Sequence, residues 1–135
     1  MEAARIAAEP RNILLAQNFY GMTGDEFEQF LAAVFRYLGY HVEEVGGTGD
    51  QGADLIITKH DRVVIQAKCY GRNNYCGNDA VQQAIAATFF HRANRCVVIT
   101  TSFYSNAARA LAQSANCMLI EGEQIRDLIW GRIEI

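Results

Sequence analysis

Four side chains in this sequence could assemble hydrolytic chemistry on a phosphate. Asp54 interrupts an apolar run, A-D-L-I-I at 53–57, and aspartate is depleted in strands. Gln66 and Lys68 stand two apart in R-V-V-I-Q-A-K-C-Y at 62–70. Strand alternation turns Val63, Ile65, Ala67 and Cys69 one way and Val64, Gln66 and Lys68 the other. A carboxylate, an amide or backbone carbonyl and a further acid can hold a hard divalent cation such as Mg²⁺ through oxygen. Such an ion neutralises a phosphate and lowers the pKa of a bound water. A lysine beside it can orient that water or stabilise charge developing on phosphorus. Glu28, between Phe27 and Leu31 on an earlier helical stretch, could supply the second carboxylate. These four residues are therefore expected to converge on one cleft. The plainer alternative is an edge strand with a solvated face, on which a lysine discourages aggregation. D…QxK alone is a weak pattern.

Other candidate motifs carry less. Residues 47–52, G-T-G-D-Q-G, match GxGxxG, but a dinucleotide site needs its last glycine to open a helix. The next residues, A-D-L-I-I-T-K at 53–59, are β-type, and Asp50 would set a carboxylate among the phosphates. The loop reads as turn-rich, or as one that lets another phosphate backbone approach closely. Cysteines 69, 76, 96 and 117 form no CxxC pair, and His41, His60 and His91 have no partner at zinc spacing. Free thiols suit a reducing cytosol.

The elements that must position these residues are set by periodicity. T-G-D-E at 23–26 has the capping-box pattern. Phe27, Phe30, Leu31, Val34, Phe35 and Leu38 then recur on one helical face, and Gly39 stops the helix. This predicts a helix over 24–38. Strands are expected at 40–45, 53–59 and 62–70, the last two joined by a two-residue turn at His60-Asp61. A polar-aromatic loop holding Tyr70, Arg72, Asn73, Asn74 and Tyr75 leads into a second helix from 78 or 79. That helix should bury Val81, Ala84, Ile85, Thr88 and Phe89 and end at Asn94. Next come a strand at 95–100, a helix capped by Ser105 with Ala108, Leu111, Ala112 and Ala115 inside, a strand at 117–120 and a last short helix. The order α-β-β-β-α-β-α-β-α implies an α/β fold with a mixed central sheet flanked by helices.

The 135 residues make one domain, with half of them hydrophobic. A chain of this length buries roughly two-thirds of its unfolded surface. Residues 1–22 are a less defined extension, with Pro10 opening a short helix or marking a linker, and 23–135 form the domain proper. No apolar run approaches the roughly 20 residues that cross a bilayer, so a membrane location is not expected and a cytoplasmic one is. The net charge of −3 conceals an acidic first third and a basic middle. That middle is compatible with a phosphate-bearing partner, while the acidic total disfavours strong non-specific binding to nucleic acid.

Taken together, Phe27-Glu28, G-T-G-D-Q-G-A-D-L-I at 47–56, V-I-Q-A-K-C-Y at 64–70, G-N-D-A-V-Q-Q at 77–83, V-V-I-T-T-S-F at 97–103 and L-I-E-G-E-Q-I at 119–125 resemble the catalytic domain of Mrr-type restriction endonucleases. The resemblance covers about residues 22–130. Such domains belong to the PD-(D/E)xK nuclease superfamily, with an αβββαβ core that agrees with this element order. It implies a bacterial or phage endonuclease hydrolysing phosphodiester bonds of double-stranded DNA with Mg²⁺, for which Mn²⁺ could substitute. It implies Asp54, Glu28 and Gln66 as metal ligands and Lys68 as the catalytic lysine. Gln66 departs from the usual acid and should weaken metal affinity. Arg72, Asn73, Asn74, Gln82 and Gln83 are candidate DNA contacts. A homodimer would supply two metal sites for two strands, and a separate DNA-recognition domain or subunit is typical of relatives. A structure-selective nuclease such as a junction resolvase, or a non-catalytic nuclease-fold module binding DNA or protein, are the alternatives.

Overall fold

The computed structural model describes residues 9–46, 53–70 and 74–135. Most of the glycine loop, with Asp50, lies outside these residues, as do Arg72 and Asn73.

Helix α1 (Pro10–Leu15) starts on its proline, whose fixed φ suits a first turn. The helical alternative for this stretch is therefore the one realised. Leu14, and Phe19 in the 3₁₀ turn after it (Phe19–Gly21), are buried in the main core. Helix α2 (Gly24–Tyr37) carries the expected capping box: the Thr23 hydroxyl accepts from the Glu26 amide at 3.2 Å, and the Glu26 carboxylate accepts from the Thr23 amide at 2.9 Å. Gly39 terminates it at φ 95°, a conformation costly for any residue with a Cβ.

Three antiparallel strands come next, β1 (His41–Glu44), β2 (Leu55–Thr58) and β3 (Arg62–Lys68). A two-residue strand, β4 (Tyr75–Cys76), precedes β5 (Arg95–Thr100). An equally short β6 (Phe103–Tyr104) precedes β7 (Cys117–Glu121). β5 and β7 join the first three in parallel, giving the sheet order β1-β2-β3-β5-β7. Helices α3 (Asn78–Phe90) and α4 (Asn106–Ser114) make the crossovers, and α5 (Gln124–Trp130) is the last helix. The mixed α/β architecture matches the expected order. The parallel ribbon of β4 and β6 adds to it. Two residues per strand leave no readable alternation, which is why periodicity misses it.

Four expectations need correction. The β2–β3 connection has three residues between the paired Thr58 and Arg62, not two. Phe89 is 80% exposed. It lies nine residues after buried Ala80, and at about 100° per residue that is the opposite side of the helix. The helix also stops at Phe90, short of Asn94, which instead clamps the start of β3: its amide donates to the Arg62 carbonyl and its side-chain oxygen accepts from the Arg62 amide, both at 2.8 Å. Ala115 caps α4 and is exposed rather than inside.

Two apolar layers sandwich the sheet. The layer between the sheet and α2, α1 and α5 holds Phe27, Phe30, Leu31, Phe35, Leu55, Ile57, Val63, Ile65 and Ile99. The layer between the sheet and α3 and α4 holds Val64, Val98, Ala80, Ala84, Ala87, Ala108, Ala112 and three cysteines.

Candidate active site

Strand β3 alternates as its sequence requires. Val63 and Ile65 belong to the α2 layer, with Ala67 and Cys69 packed against it, and Val64 belongs to the α3 layer. Gln66 accompanies Val64 to that second side: it is 5% exposed, and its amide nitrogen donates to the Gln83 side-chain oxygen on α3 at 3.4 Å. Held that way, the amide turns its own oxygen, the atom able to ligate a hard cation, away from Gln83.

Asp54 is pinned through its backbone and its carboxylate. The β2–β3 register of Leu55 opposite Ile65 would, continued, set Asp54 opposite Gln66. Its amide instead donates to the Ile65 carbonyl at 2.9 Å, and Ala53 turns into the same layer as Val64. Such one-residue offsets re-aim side chains. Here the Asp54 carboxylate accepts from the Ala67 amide at 2.6 Å, on the backbone between Gln66 and Lys68. The Asp54 carbonyl accepts from both the Val45 and Gly46 amides, at 3.1 and 3.0 Å, which ties the end of β1 to the same point.

Asp54 and Glu28 line one cavity of about 250 Å³ with Asp25, Gln29, Glu44, Gly46 and Leu55. Glu28 reaches it from α2 across Gly46. A side chain at position 46 would collide with the Glu28 carboxylate, so glycine here permits the close approach. Glu44, which sequence reasoning missed, is engaged by Arg36 at 3.1 Å and Gln29 at 2.6 Å. These hydrogen bonds hold its carboxyl below the usual range. Its only signal in the sequence was its place two residues before the glycine loop.

The structure thus brings Glu28 and Asp54 into one cavity and Asp54 onto the β3 backbone. Gln66 and Lys68 flank that backbone contact but do not line the cavity. Among the described residues no three His, Cys, Asp or Glu side chains gather to hold a metal by themselves. The donor chemistry still suits Mg²⁺, which usually takes one or two carboxylates plus waters and substrate phosphates rather than an all-protein cage.

Lys68 ends β3 opposite Thr100. It is half-buried, and its ammonium acts on the Cys76 thiol, whose burial nevertheless pushes it up to about 11. Of the expected DNA contacts, Asn74 is exposed, Gln82 donates to Asn78 on the outer surface of α3, and Gln83 faces Gln66. No helix among the described residues is long and apolar enough to cross a membrane.

Comparison with known proteins covers the same stretch of chain. The Mrr catalytic-domain family, described as restriction endonuclease, matches residues 19–129. The type IV methyl-directed restriction enzyme EcoKMrr of Escherichia coli K12 is 33% identical over 123 residues, covering 84% of this chain and 40% of that protein. The chain therefore spans about two-fifths of that relative's length. The DNA modification-dependent restriction endonuclease AspBHI superposes with a TM-score of 0.65 at 21% identity, over 98% of this chain and 38% of its own. A protein of unknown function, AF1548, gives the same TM-score at 16% identity, over 85% of this chain and 67% of its own. These two likenesses concern the fold.

Proposed function

The chain belongs to the restriction endonuclease family of the Mrr catalytic domain, and from that membership we propose that it is a metal-dependent DNA endonuclease domain hydrolysing phosphodiester bonds. The observation that carries this reading is the Asp54 carboxylate, fixed by the Ala67 amide at 2.6 Å and sharing a cavity with Glu28.

Asp54 and Glu28 would hold Mg²⁺, or Mn²⁺ in its place, with the Gln66 amide oxygen as a neutral third donor. The ion, when bound, supplies charge neutralisation at the scissile phosphate and a more acidic water. Three hydrogen bonds to its backbone and one to its carboxylate keep Asp54 in position without reorganisation during the reaction. Lys68, held at the strand end, would orient the attacking water or stabilise the charge that develops on the phosphate oxygens. A two-fold pair of such domains would match the symmetry of duplex DNA and cut both strands, in the cytoplasm where free thiols persist.

The test is cleavage of methylated and unmethylated plasmid with Mg²⁺, Mn²⁺ or EDTA. Wild type should cut only with a metal. Asp54→Ala should abolish cleavage, and Lys68→Ala should slow it about 10²–10⁴-fold, the scale of a positioned proton-transfer or electrostatic group, with DNA affinity little changed. Cleavage in EDTA, or an Asp54→Ala protein cutting at the wild-type rate, would overturn the reading.

A further inference from the structure

The β4–β6 ribbon presents two aromatic rings to solvent. Tyr75 is 61% and Phe103 43% exposed, and their centroids lie 5.9 Å apart at an interplanar angle of 43°. The ribbon beneath them is anchored. Cys76 and Tyr104, the inward members of the same two strands, are buried, and the Tyr104 hydroxyl bonds the Val98 and Ile120 carbonyls at 2.6 and 2.9 Å. The Ser105 amide bonds the Cys76 carbonyl at 3.0 Å. Two exposed rings are thus held on a fixed base, at little conformational cost to any partner that covers them.

Their place is beside the end of β3 that carries Lys68. β6 begins three residues after Thr100, which pairs with Lys68, and the Thr101 amide donates to the Lys68 carbonyl at 3.3 Å. Cys76, adjacent to Tyr75, lies within the field of the Lys68 ammonium. Phe103 also walls a recess of about 540 Å³ with Asn18, Tyr20, Thr101, Ser102 and Arg126, room enough for a planar ring beside it. Bases inside a duplex stack on one another and offer only their edges. Ring faces gain contact only with a base that has left the stack, and every base has a π-face to offer them.

We propose that Tyr75 and Phe103 form a stacking platform for an unpaired nucleobase next to the scissile phosphate. The platform rests on the nuclease reading and deepens it: the preferred substrate carries an opened or readily opened base step at the cleavage site. Because stacking is sequence-tolerant, the preference tracks base-pair opening rather than base identity.

The experiment is fluorescence anisotropy in EDTA, with one labelled oligonucleotide as a single strand, as a perfect duplex and as a duplex with a central mismatch. Wild type, Tyr75→Ala, Phe103→Ala and Tyr75→Phe are compared, and their circular dichroism spectra checked. Base–aromatic stacking of about 1–3 kcal/mol per base corresponds to a loss of roughly 5–150-fold. Each alanine variant should lose that much on the single strand and the mismatched duplex, and under about twofold on the perfect duplex. Tyr75→Phe should bind as wild type. Equal losses on all three DNAs, or none, would overturn the platform. If wild type cuts plasmid with Mg²⁺ while Tyr75→Ala keeps every affinity, the platform alone fails. If wild type neither binds nor cuts any DNA, the nuclease reading falls with it.

Discussion

The two sides of the sheet are built from different materials. The side under α2 is packed with large rings and branched chains, Phe27, Phe30, Phe35, Leu31, Ile57 and Ile65. The side under α3 and α4 is packed with alanines and cysteines, and it admits polar groups: Gln66 and the Tyr104 hydroxyl are buried there, each with a partner. Large apolar side chains bury the most area per residue, so the α2 side supplies more of the folding energy. Small residues let α3 and α4 approach the sheet closely, and the thin layer leaves Gln66 and Lys68 near its edge. Asp54 stands at the seam, in the cavity reached from α2 and on the backbone that carries the other two.

The comparison breaks most easily at the thick side. Phe27→Ala removes a fully buried ring and should cost about 3–5 kcal/mol, the usual range for such truncations. Urea unfolding checks this, and a loss under about 1 kcal/mol would mean that the α2 layer does not carry the difference. On the thin side the sensitive change is enlargement. Ala84→Leu, at a fully buried position on α3, should cost about 1–3 kcal/mol by overpacking and should also perturb cleavage, since α3 carries Gln83 against Gln66. Unfolding and plasmid cleavage of the same variant would show whether the two losses arrive together.

The smallest effect is a pH dependence. Burial raises the Cys76 thiol from about 9 to about 11. The unfolded state then binds fewer protons than the folded one between those values, so the contribution of this group is fully present below pH 9 and is lost as pH rises through 11. Cys76→Ala should flatten the alkaline decline in Tm across that window. An unchanged slope would show that Cys76 reaches solvent more freely than its place in the thin layer suggests.

Much of the molecule was legible in its residues. Helix α2 was readable from Thr23 to Gly39, because a capping box, six apolar positions at one helical period and a terminal glycine all agree. The faces of β3 were readable because period-two alternation depends only on backbone geometry. Asp54, Gln66 and Lys68 stood out as polar groups set into apolar runs and Glu28 as an acid on the flank of a helix face, but it was the six stretches from Phe27-Glu28 to 119–125 together that carried the family. The β2–β3 turn was not readable: a two-residue and a three-residue loop fit the same composition, and they differ by one step of register. The tiny β4–β6 ribbon was too short for any periodic signal, so the meeting of Tyr75 with Phe103, 28 residues later, appears only in three dimensions.

Sequence by itself therefore determined the element order, the alternation of β3 and which side chains could do chemistry, because each of these depends on spacing along the chain. Tertiary structure alone decided which partners those side chains meet. The offset at Asp54 that turns its carboxylate to the Ala67 amide, the glycine that lets Glu28 reach the same cavity and the helix that holds Gln66 through Gln83 are contacts between residues distant in sequence. Their energies exist only once the sheet has been assembled.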